Sequence, residues 1–255
     1  MSLTDVLQDP KLTKPVLVKS ELARLTDVLQ AICTHWEKSG LRLELFNGVS
    51  LGHAAGATLE TQQTYLHQLE SWLATLQEHS PFHDQLVSQS RGMSLLDLEK
   101  AQLSSFLRRL GAKVDDSLFS EIHDGDVIEV YLFNADGTAT QVYRNVAFLQ
   151  MCSYDLLTLV SHSMQDLFRR PGEIEARMNE LIADLFTSTV VKPVDLPAHE
   201  ITEIRHPRHR KFRIRIRYAA PLFNETGTPI GFVSTLSAEG SGSVFDGASH
   251  VQPIR

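Results

Sequence analysis

The sequence predicts an α+β protein in which an all-helical N-terminal region precedes a five-stranded antiparallel sheet with short helices on one face. Apolar residues recur at three- and four-residue steps through residues 20–110, which is the helical period. Residues 127–143 form two extended runs joined by a tight turn. Further extended segments follow a helical stretch, at about 194–204, 211–222 and 229–236. Runs of strands without strict alternation with helices favour an antiparallel sheet.

The helical region is predicted to be a helical hairpin or small bundle, because short apolar stripes must bury against one another. Its first helix is expected to start at Ser20 as the N-cap and to stop at Gly40. Three further helices are predicted at about 58–78, 81–90 and 94–110. Trp36 and Trp72 lie on apolar faces, where core packing is their simplest role and a partner surface is the alternative.

The segment 47–57 carries three glycines at four-residue spacing. A phosphate-binding loop needs a Lys followed by Ser or Thr at the start of a helix, and this segment has no such lysine. It is therefore predicted to be a flexible connector. The domain boundaries that we expect are a mobile arm at 1–19, the helical region at 20–111, a second domain at 115–238 and a disordered tail at 239–255.

The second domain is organised around residues 127–168. Asn134 tolerates left-handed backbone and Gly137 adopts it without a Cβ clash, so the sequence Asn134-Ala135-Asp136-Gly137 predicts a hairpin turn. After the second strand the period becomes helical, with Ser153 as the predicted N-cap between two short helices. A longer helix is expected from Gly172 to about Phe186, and residues 223–227 predict the turn of a last hairpin.

Composition limits the class of protein. The formal net charge of the 255 residues is −7, and no apolar run reaches the length of about 18 residues typical of a membrane span. The N-terminus has no apolar core of a secretory signal, so a cytoplasmic location is expected. Cys33 and Cys152 are far apart in sequence, which fits a reducing compartment and ordinary buried roles.

The positive charge is concentrated in residues 205–217, which hold seven Lys and Arg and no acidic residue. One basic strand on an acidic body makes nucleic-acid binding unfavourable, because non-specific binding needs a broad positive field. Strict alternation from Lys211 onward places Arg213, Arg215 and Arg217 on one face of a strand, and we predict that this face is an interaction surface.

Three environments would suit this arginine face. The side chains could face water, pair with acidic residues such as Asp97 or Glu99 or with a second subunit, or contact an anionic ligand or an acidic partner protein. We expect the helix at 94–110 to pack on or near this face.

Four short motifs occur in a fixed order in the second domain. They are Asn134-Ala135-Asp136-Gly137, Arg144-Asn145-Val146-Ala147-Phe148, Met151-Cys152-Ser153-Tyr154, and Asn224-Glu225-Thr226-Gly227 followed by Ile230-Gly231-Phe232-Val233. In this order the motifs resemble those of a PAS domain, over about residues 115–238. One departure is Cys152, which stands where members of that family usually have glycine.

The resemblance implies a sensor or interaction module whose sheet and short helices enclose a pocket or a plain core. On this resemblance the pocket-lining residues are taken to be Phe148, Met151, Tyr154, Leu167, Met178, Phe212, Ile214 and Ile216. Family members bind haem, flavin or small metabolites, and many bind nothing. Haem is disfavoured because residues 171–187 contain no histidine, and photoactive flavin because Cys152 lies six residues too late for the reactive cysteine of such members. No cofactor is therefore assigned, and a small organic ligand or an empty core are both open.

Catalytic and metal sites are not predicted. His199, His206 and His209 lie close in sequence, but zinc needs three or four converging ligands, and Pro207 and the neighbouring arginines disfavour a cation. The sequence contains no nucleophile elbow, Ser–His–Asp set or HExxH motif, so no enzymatic activity is expected.

The sequence thus favours a cytoplasmic, non-enzymatic signal-transduction or interaction protein with a PAS-like sensor domain. A homodimer formed through the helices, and a protein partner that receives the signal, are expected. The alternative is a DNA-associated transcription regulator with a PAS-like sensory domain. Residues 20–110 lack a basic recognition helix, which disfavours that alternative.

Overall fold

The computed structural model describes residues 16–38, 41–42, 46–78, 95–135, 137–187, 192–194, 196–205, 210–239 and 252–253. The predicted helix at 81–90 lies outside the described residues, as do His206 and His209.

The helical region contains helices α1 (Val16–Lys38), α2 (Gly48–Gly56), α3 (Leu59–Glu78) and α4 (Leu95–Arg109), and the short helix α5 (Ser117–Glu121) opens the second domain. The predicted helices at 58–78 and 94–110 are confirmed as α3 and α4. Helix α1 begins at Val16, so the expectation that Ser20 caps it was wrong, and residues 16–19 of the predicted mobile arm are helical. The reason is local, since Pro15 favours a helix start directly after it and nothing before Ser20 breaks the helix.

The predicted flexible connector at 47–57 was also wrong, because Gly48–Gly56 form helix α2. The Asn47 side chain accepts hydrogen bonds from the backbone N–H groups of Val49 and Ser50, at 2.9 and 3.1 Å. The Ser50 hydroxyl accepts one in return from the Asn47 N–H at 2.9 Å, which completes a capping box. This cap and the burial of Leu51 and Ala54 offset the entropic cost of the glycines.

The second domain contains strands β2 (Val127–Phe133), β3 (Ala139–Arg144), β4 (Phe168–Arg169), β5 (Lys192–Pro193), β6 (His199–Glu203), β7 (Lys211–Phe223) and β8 (Pro229–Glu239). Its other helices are α6 (Val146–Met151), α7 (Leu156–Ser161), α8 (Met164–Leu167) and α9 (Gly172–Leu185). The two residues of β1 (Leu41–Arg42) pair with β9 (Gln252–Pro253) in a separate sheet, so this part of the predicted disordered tail is paired.

The sheet is antiparallel and curled, with strand order β3-β2-β8-β7-β6-β4 and with β5 paired to β7. An α+β fold with an antiparallel sheet is thus confirmed, but the predicted five strands are corrected to six in the main strand order, and the two-residue β5 pairs beside them with β7. The strand added to the main order is β4, in which Phe168 pairs with Glu203 and Arg169 with Thr202. Two residues are too few to give a period-two pattern, so sequence alone does not reveal this strand.

Both predicted hairpin turns are present. Gly137 has a φ of 83° and Gly227 a φ of 80°, which is the left-handed region that glycine adopts at low cost. The backbone N–H of Asn134 donates to the carbonyl of Thr138 at 2.8 Å, and that of Asn224 donates to the carbonyl of Thr228 at 3.0 Å. These turns set the registers of the β2–β3 and β7–β8 pairs.

The predicted cap at Ser153 was wrong. Helix α7 is capped by Asp155, whose carboxylate accepts a hydrogen bond from the backbone N–H of Thr158 at 2.7 Å. Ser153 instead donates both its hydroxyl and its backbone N–H to the buried carboxylate of Glu203 on β6. The competition between a local cap and a long-range acceptor cannot be decided from the sequence.

The two faces of the sheet are covered differently. Glu129 and Tyr131 alternate along β2 with Ile128 and Val130, so the two pairs lie on opposite faces. Val130 pairs with Tyr143 of β3, and the ring of Tyr143 packs 4.8 Å from that of Phe106 on α4. Helix α4 therefore covers the face of the sheet opposite to Glu129 and Tyr131, and the apolar residues of the two regions form one continuous core.

Trp72 is buried in this core, in line with the simpler of its two predicted roles. Among the helices in the described part of the chain, none combines the length and the apolar character that crossing a bilayer requires.

Candidate functional site

A cavity of about 360 Å³ lies between the sheet and helix α9. It lies on the face of Glu129 and Tyr131, opposite to the face covered by α4. The lining residues are Glu129, Tyr131, Gly137, Thr138, Ala139, Met164, Gln165, Arg170, Glu175, Met178, Asn179, Ile182, Ala183, Phe186, Ile216, Phe232 and Ser234. This volume is in the range of cavities that hold small molecules.

The floor of the cavity is polar and centred on Glu129 of β2, which is only 4% exposed. One carboxylate oxygen accepts hydrogen bonds from the Tyr131 hydroxyl at 3.0 Å and from the Gln141 amide at 2.7 Å. The other accepts one from the Ser234 hydroxyl at 3.2 Å. Burial raises the pKa of Glu129, while the charges of Arg170 and Arg144 and these hydrogen bonds oppose the rise.

Arg144, at the end of β3, supports the polar floor of the cavity through Gln141. Its Nε and Nη2 both donate to the Gln141 side-chain oxygen, at 3.0 and 2.7 Å. Its guanidinium carbon also lies 5.8 Å from the centroid of the Phe148 ring. Burial lowers the pKa of Arg144 to about 10, so this side chain stays charged at neutral pH and balances Glu129 through Gln141.

Arg170 enters the cavity from the loop between β4 and α9, and its side chain is 12% exposed. Its Nη1 lies 3.9 Å from a carboxylate oxygen of Glu175, which is too long for a hydrogen bond. Its Nε is buried and has no hydrogen-bond partner among the described residues. A buried donor without an acceptor is costly, so the Arg170 Nε–H is an unsatisfied donor at the cavity wall.

Aromatic and aliphatic side chains form much of the remaining wall, together with the polar Thr138, Gln165 and Asn179, and Phe133 packs behind Phe186. The Tyr131 and Phe232 rings are stacked with their centroids 4.8 Å apart, and those of Phe133 and Phe186 at 3.6 Å. Met164, Met178, Ile182 and Ile216 complete this part of the wall. The cavity therefore combines a few polar groups with a large apolar surface, which is the common pattern of sites for small organic molecules.

The eight residues predicted to line a pocket are all described, and they fall into two groups. Met178 and Ile216 line the cavity. The other six, Phe148, Met151, Tyr154, Leu167, Phe212 and Ile214, are buried in the main core. In that core Phe168 meets the rings of Phe148, Tyr154 and Phe212 edge to face.

The predicted arginine face is divided. Arg213 and Arg215 are exposed on β7. Arg217 lies at a bulge of the same strand, and its Nη1 donates to both carboxylate oxygens of Asp126, at 2.8 and 3.0 Å. Asp126 was not among the expected partners, because a bulge changes which residue a strand position meets.

Glu99 of α4, which was an expected partner of the arginines, instead accepts a hydrogen bond from Asn145 at 2.9 Å. The Asn145 side chain also donates to the Asp126 carbonyl and accepts from the N–H groups of Ile128 and Phe148. One amide thus connects α4, the start of β2 and the N-terminus of α6.

The polar residues of the site were missed in the sequence. A signal existed, since Glu129 interrupts the apolar run of β2, and Arg144 lies next to the Asn145 cap. A charged residue inside an apolar strand is unusual unless it is paired, and this rule would have singled out Glu129. No comparable signal exists for Arg170, whose role depends on the packing of α9.

Other reactive groups are held in inert settings. Burial raises the pKa of the Cys152 thiol to about 12, which disfavours a thiolate nucleophile. The Nδ1 of His199 is 3.0 Å from the Pro197 carbonyl. Within the described ranges, no three His, Cys, Asp or Glu side chains are grouped closely enough to hold a metal ion.

Comparison with known proteins gives no further assignment. No protein-family model matches the chain, and no curated protein matches it at a significant level. The geometry of the cavity is therefore the main evidence on function.

Proposed function

We propose that this chain is a cytoplasmic, non-enzymatic signalling protein. Its second domain is a PAS-like sensor that binds a small organic molecule in the cavity between the sheet and α9. The observation that carries the proposal is the cavity itself, with its polar floor at Glu129 and its aromatic wall at Tyr131 and Phe232. The ordered motifs and the antiparallel sheet with short helices support the PAS-like part of the proposal.

The contacts of β2 offer a route from the cavity to the helical region. Glu129 and Tyr131 face the cavity, whereas Val130 faces α4 through its strand partner Tyr143. The backbone N–H of Ile128 donates to Asn145 at 3.0 Å, and Asn145 in turn donates to Glu99 of α4. A ligand that shifts β2 by a fraction of an ångström would therefore alter contacts on both faces of the sheet.

The proposed output is a change in how the helices pair with a second copy or with a partner protein. Helices α2 and α3 also pack against α7. The Tyr65 hydroxyl of α3 donates a hydrogen bond to the Ser161 carbonyl at 3.3 Å, and the side chain of Asn47, which caps α2, donates one to Asp155 at 2.5 Å. The helical region thus touches the second domain at two separated places, at α7 and through α4 at β2 and β3.

The direct test is native mass spectrometry of freshly purified protein, combined with its absorption spectrum. We expect a bound small organic mass in the wild type that is lost in Ala183→Trp, because Ala183 lies on the cavity wall and is exposed on α9. The matched control is Ala176→Trp, an exposed position of the same helix away from the cavity, which should keep the bound mass. An additional mass that persists in Ala183→Trp would place the ligand elsewhere and would contradict the proposal.

A further inference from the structure

The hydrogen-bonding state of the cavity indicates the chemistry of its ligand. Glu129 is already supplied with three donors, two on one oxygen and one on the other. An ammonium ligand would have to compete with these donors. Arg170, by contrast, lacks hydrogen-bond acceptors. Its buried Nε has no acceptor among the described residues, and the Glu175 carboxylate lies 3.9 Å from its Nη1.

We propose that the cavity binds an amphipathic organic acid whose carboxylate is held by Arg170 and whose apolar body lies against Phe232, Met178 and Ile216. This inference rests on the proposed function and names the ligand class of the same cavity. A guanidinium matches a carboxylate with two parallel hydrogen bonds, and such pairs are stronger than neutral hydrogen bonds.

The size of the cavity limits the body of the acid. At the volume that a water molecule takes in the liquid, about 360 Å³ corresponds to roughly a dozen non-hydrogen atoms. An aryl or alkyl acid of this size would cover the stacked Tyr131 and Phe232 rings and reach the methionines of α8 and α9. The flexible, polarisable Met164 and Met178 would adapt to more than one apolar body.

The charges around Arg170 are consistent with an acid. The charges of Arg170 and Arg144 both stabilise the ionised form of Glu129, and Arg144 also supports it through Gln141, so the floor does not need a cationic ligand. Among the described residues Glu175 is the carboxylate paired most closely with Arg170, and its side chain is 37% exposed on the first turn of α9. A ligand carboxylate can therefore displace Glu175 toward water at small cost.

The test uses three probes with the same phenylpropyl body: 3-phenylpropionate, 3-phenylpropanamide and 3-phenylpropylamine. Isothermal titration of the full chain should show the acid binding at least about tenfold more tightly than the amide and the amine. Arg170→Gln should weaken acid binding by at least about tenfold and leave amide binding nearly unchanged. Glu175→Gln should strengthen acid binding, because it removes the competing carboxylate.

The matched control is Arg169→Gln, since Arg169 is the exposed neighbour of Arg170 and should leave the affinity for the acid unchanged. Arg170→Lys, which keeps the charge but loses the paired donors, should give an intermediate loss and provides a second variant if Arg170→Gln does not fold.

The outcomes separate the two proposals. Equal or tighter binding of the amine or the amide, or acid binding that Arg170→Gln leaves unchanged, would overturn the acid inference and leave the cavity as a ligand site. Binding of none of the three probes, with no small molecule in the native mass spectrum, would overturn both.

Discussion

Glu99 is an acidic side chain of α4 that is only 3% exposed, although it has no basic side chain among the hydrogen-bond partners described for it. Burial raises the pKa of Glu99 to about 7. The hydrogen bond from Asn145 opposes this rise, and the charges of the nearby Asp124 and Asp126 add to it. The folded protein therefore binds the Glu99 proton more tightly than the unfolded chain does. The stability that Glu99 contributes is complete below its ordinary value of 4.5 and is lost as the pH rises through about 7.

The substitution Glu99→Gln should remove this pH dependence, because a glutamine can accept the same hydrogen bond from Asn145 without a charge. We expect the free energy of unfolding of the variant, relative to wild type, to increase by on the order of 3 kcal/mol between pH 4.5 and pH 8. Urea titrations at a series of pH values measure this difference.

The control for this experiment is Glu180→Gln, which makes the same substitution at an exposed position on α9. Parallel pH profiles for wild type and Glu99→Gln would show that the Glu99 carboxylate titrates as it does in the unfolded chain, which would contradict this account of its burial.

At the scale of elements, strand β8 is central because it pairs with both β2 and β7. Its Gly231 lies opposite Leu132 of β2, and a Cβ atom added at Gly231 would lie 2.0 Å from the Tyr131 carbonyl oxygen. The neighbouring atoms are backbone, so they cannot move aside as a flexible side chain would. The glycine is thus required by the close approach of two strands.

Gly231→Ala should therefore reduce the free energy of unfolding by about 3 kcal/mol, the upper end of the cost of overpacking. The matched control is Gly172→Ala at the start of α9, where an added Cβ meets no atom within 4 Å. That control should be neutral or slightly stabilising, because alanine restricts the unfolded chain. Chemical denaturation of both variants gives the comparison, and equal effects would show that the β2–β8 approach is not as close as described.

Elements that depend on local sequence can be predicted, whereas elements that depend on long-range contacts cannot. Helices α3 and α4 and the turns at Gly137 and Gly227 follow from periodicity and backbone preference, which act locally. Helix α2 was missed because its glycines outweighed the Asn47 cap, and β4 was missed because its pairing with β6 is a long-range contact. Met178 and Ile216 of the cavity were predicted, whereas Glu129 and Arg170 depend on how distant strands and α9 meet.

At the scale of the whole molecule, the sheet has different roles on its two faces. One face and α9 enclose the cavity, and the other packs on α4 within a core that is shared with the helical region. In α9, Ile174 and Leu185 near the ends are buried, whereas Met178, Leu181 and Ile182 between them are only partly buried against the core. A helix whose middle is only partly buried over a cavity should become more ordered when the cavity is filled.

The measurement that tests the central claim most directly is amide hydrogen exchange of the full chain with and without saturating 3-phenylpropionate, 3-phenylpropanamide or 3-phenylpropylamine. We expect at least one of these probes to slow exchange in α9 and in β2, which form opposite walls of the cavity. Unchanged exchange in both elements with all three probes, or slowing confined to elements that do not line the cavity, would contradict the assignment of the cavity as the ligand site.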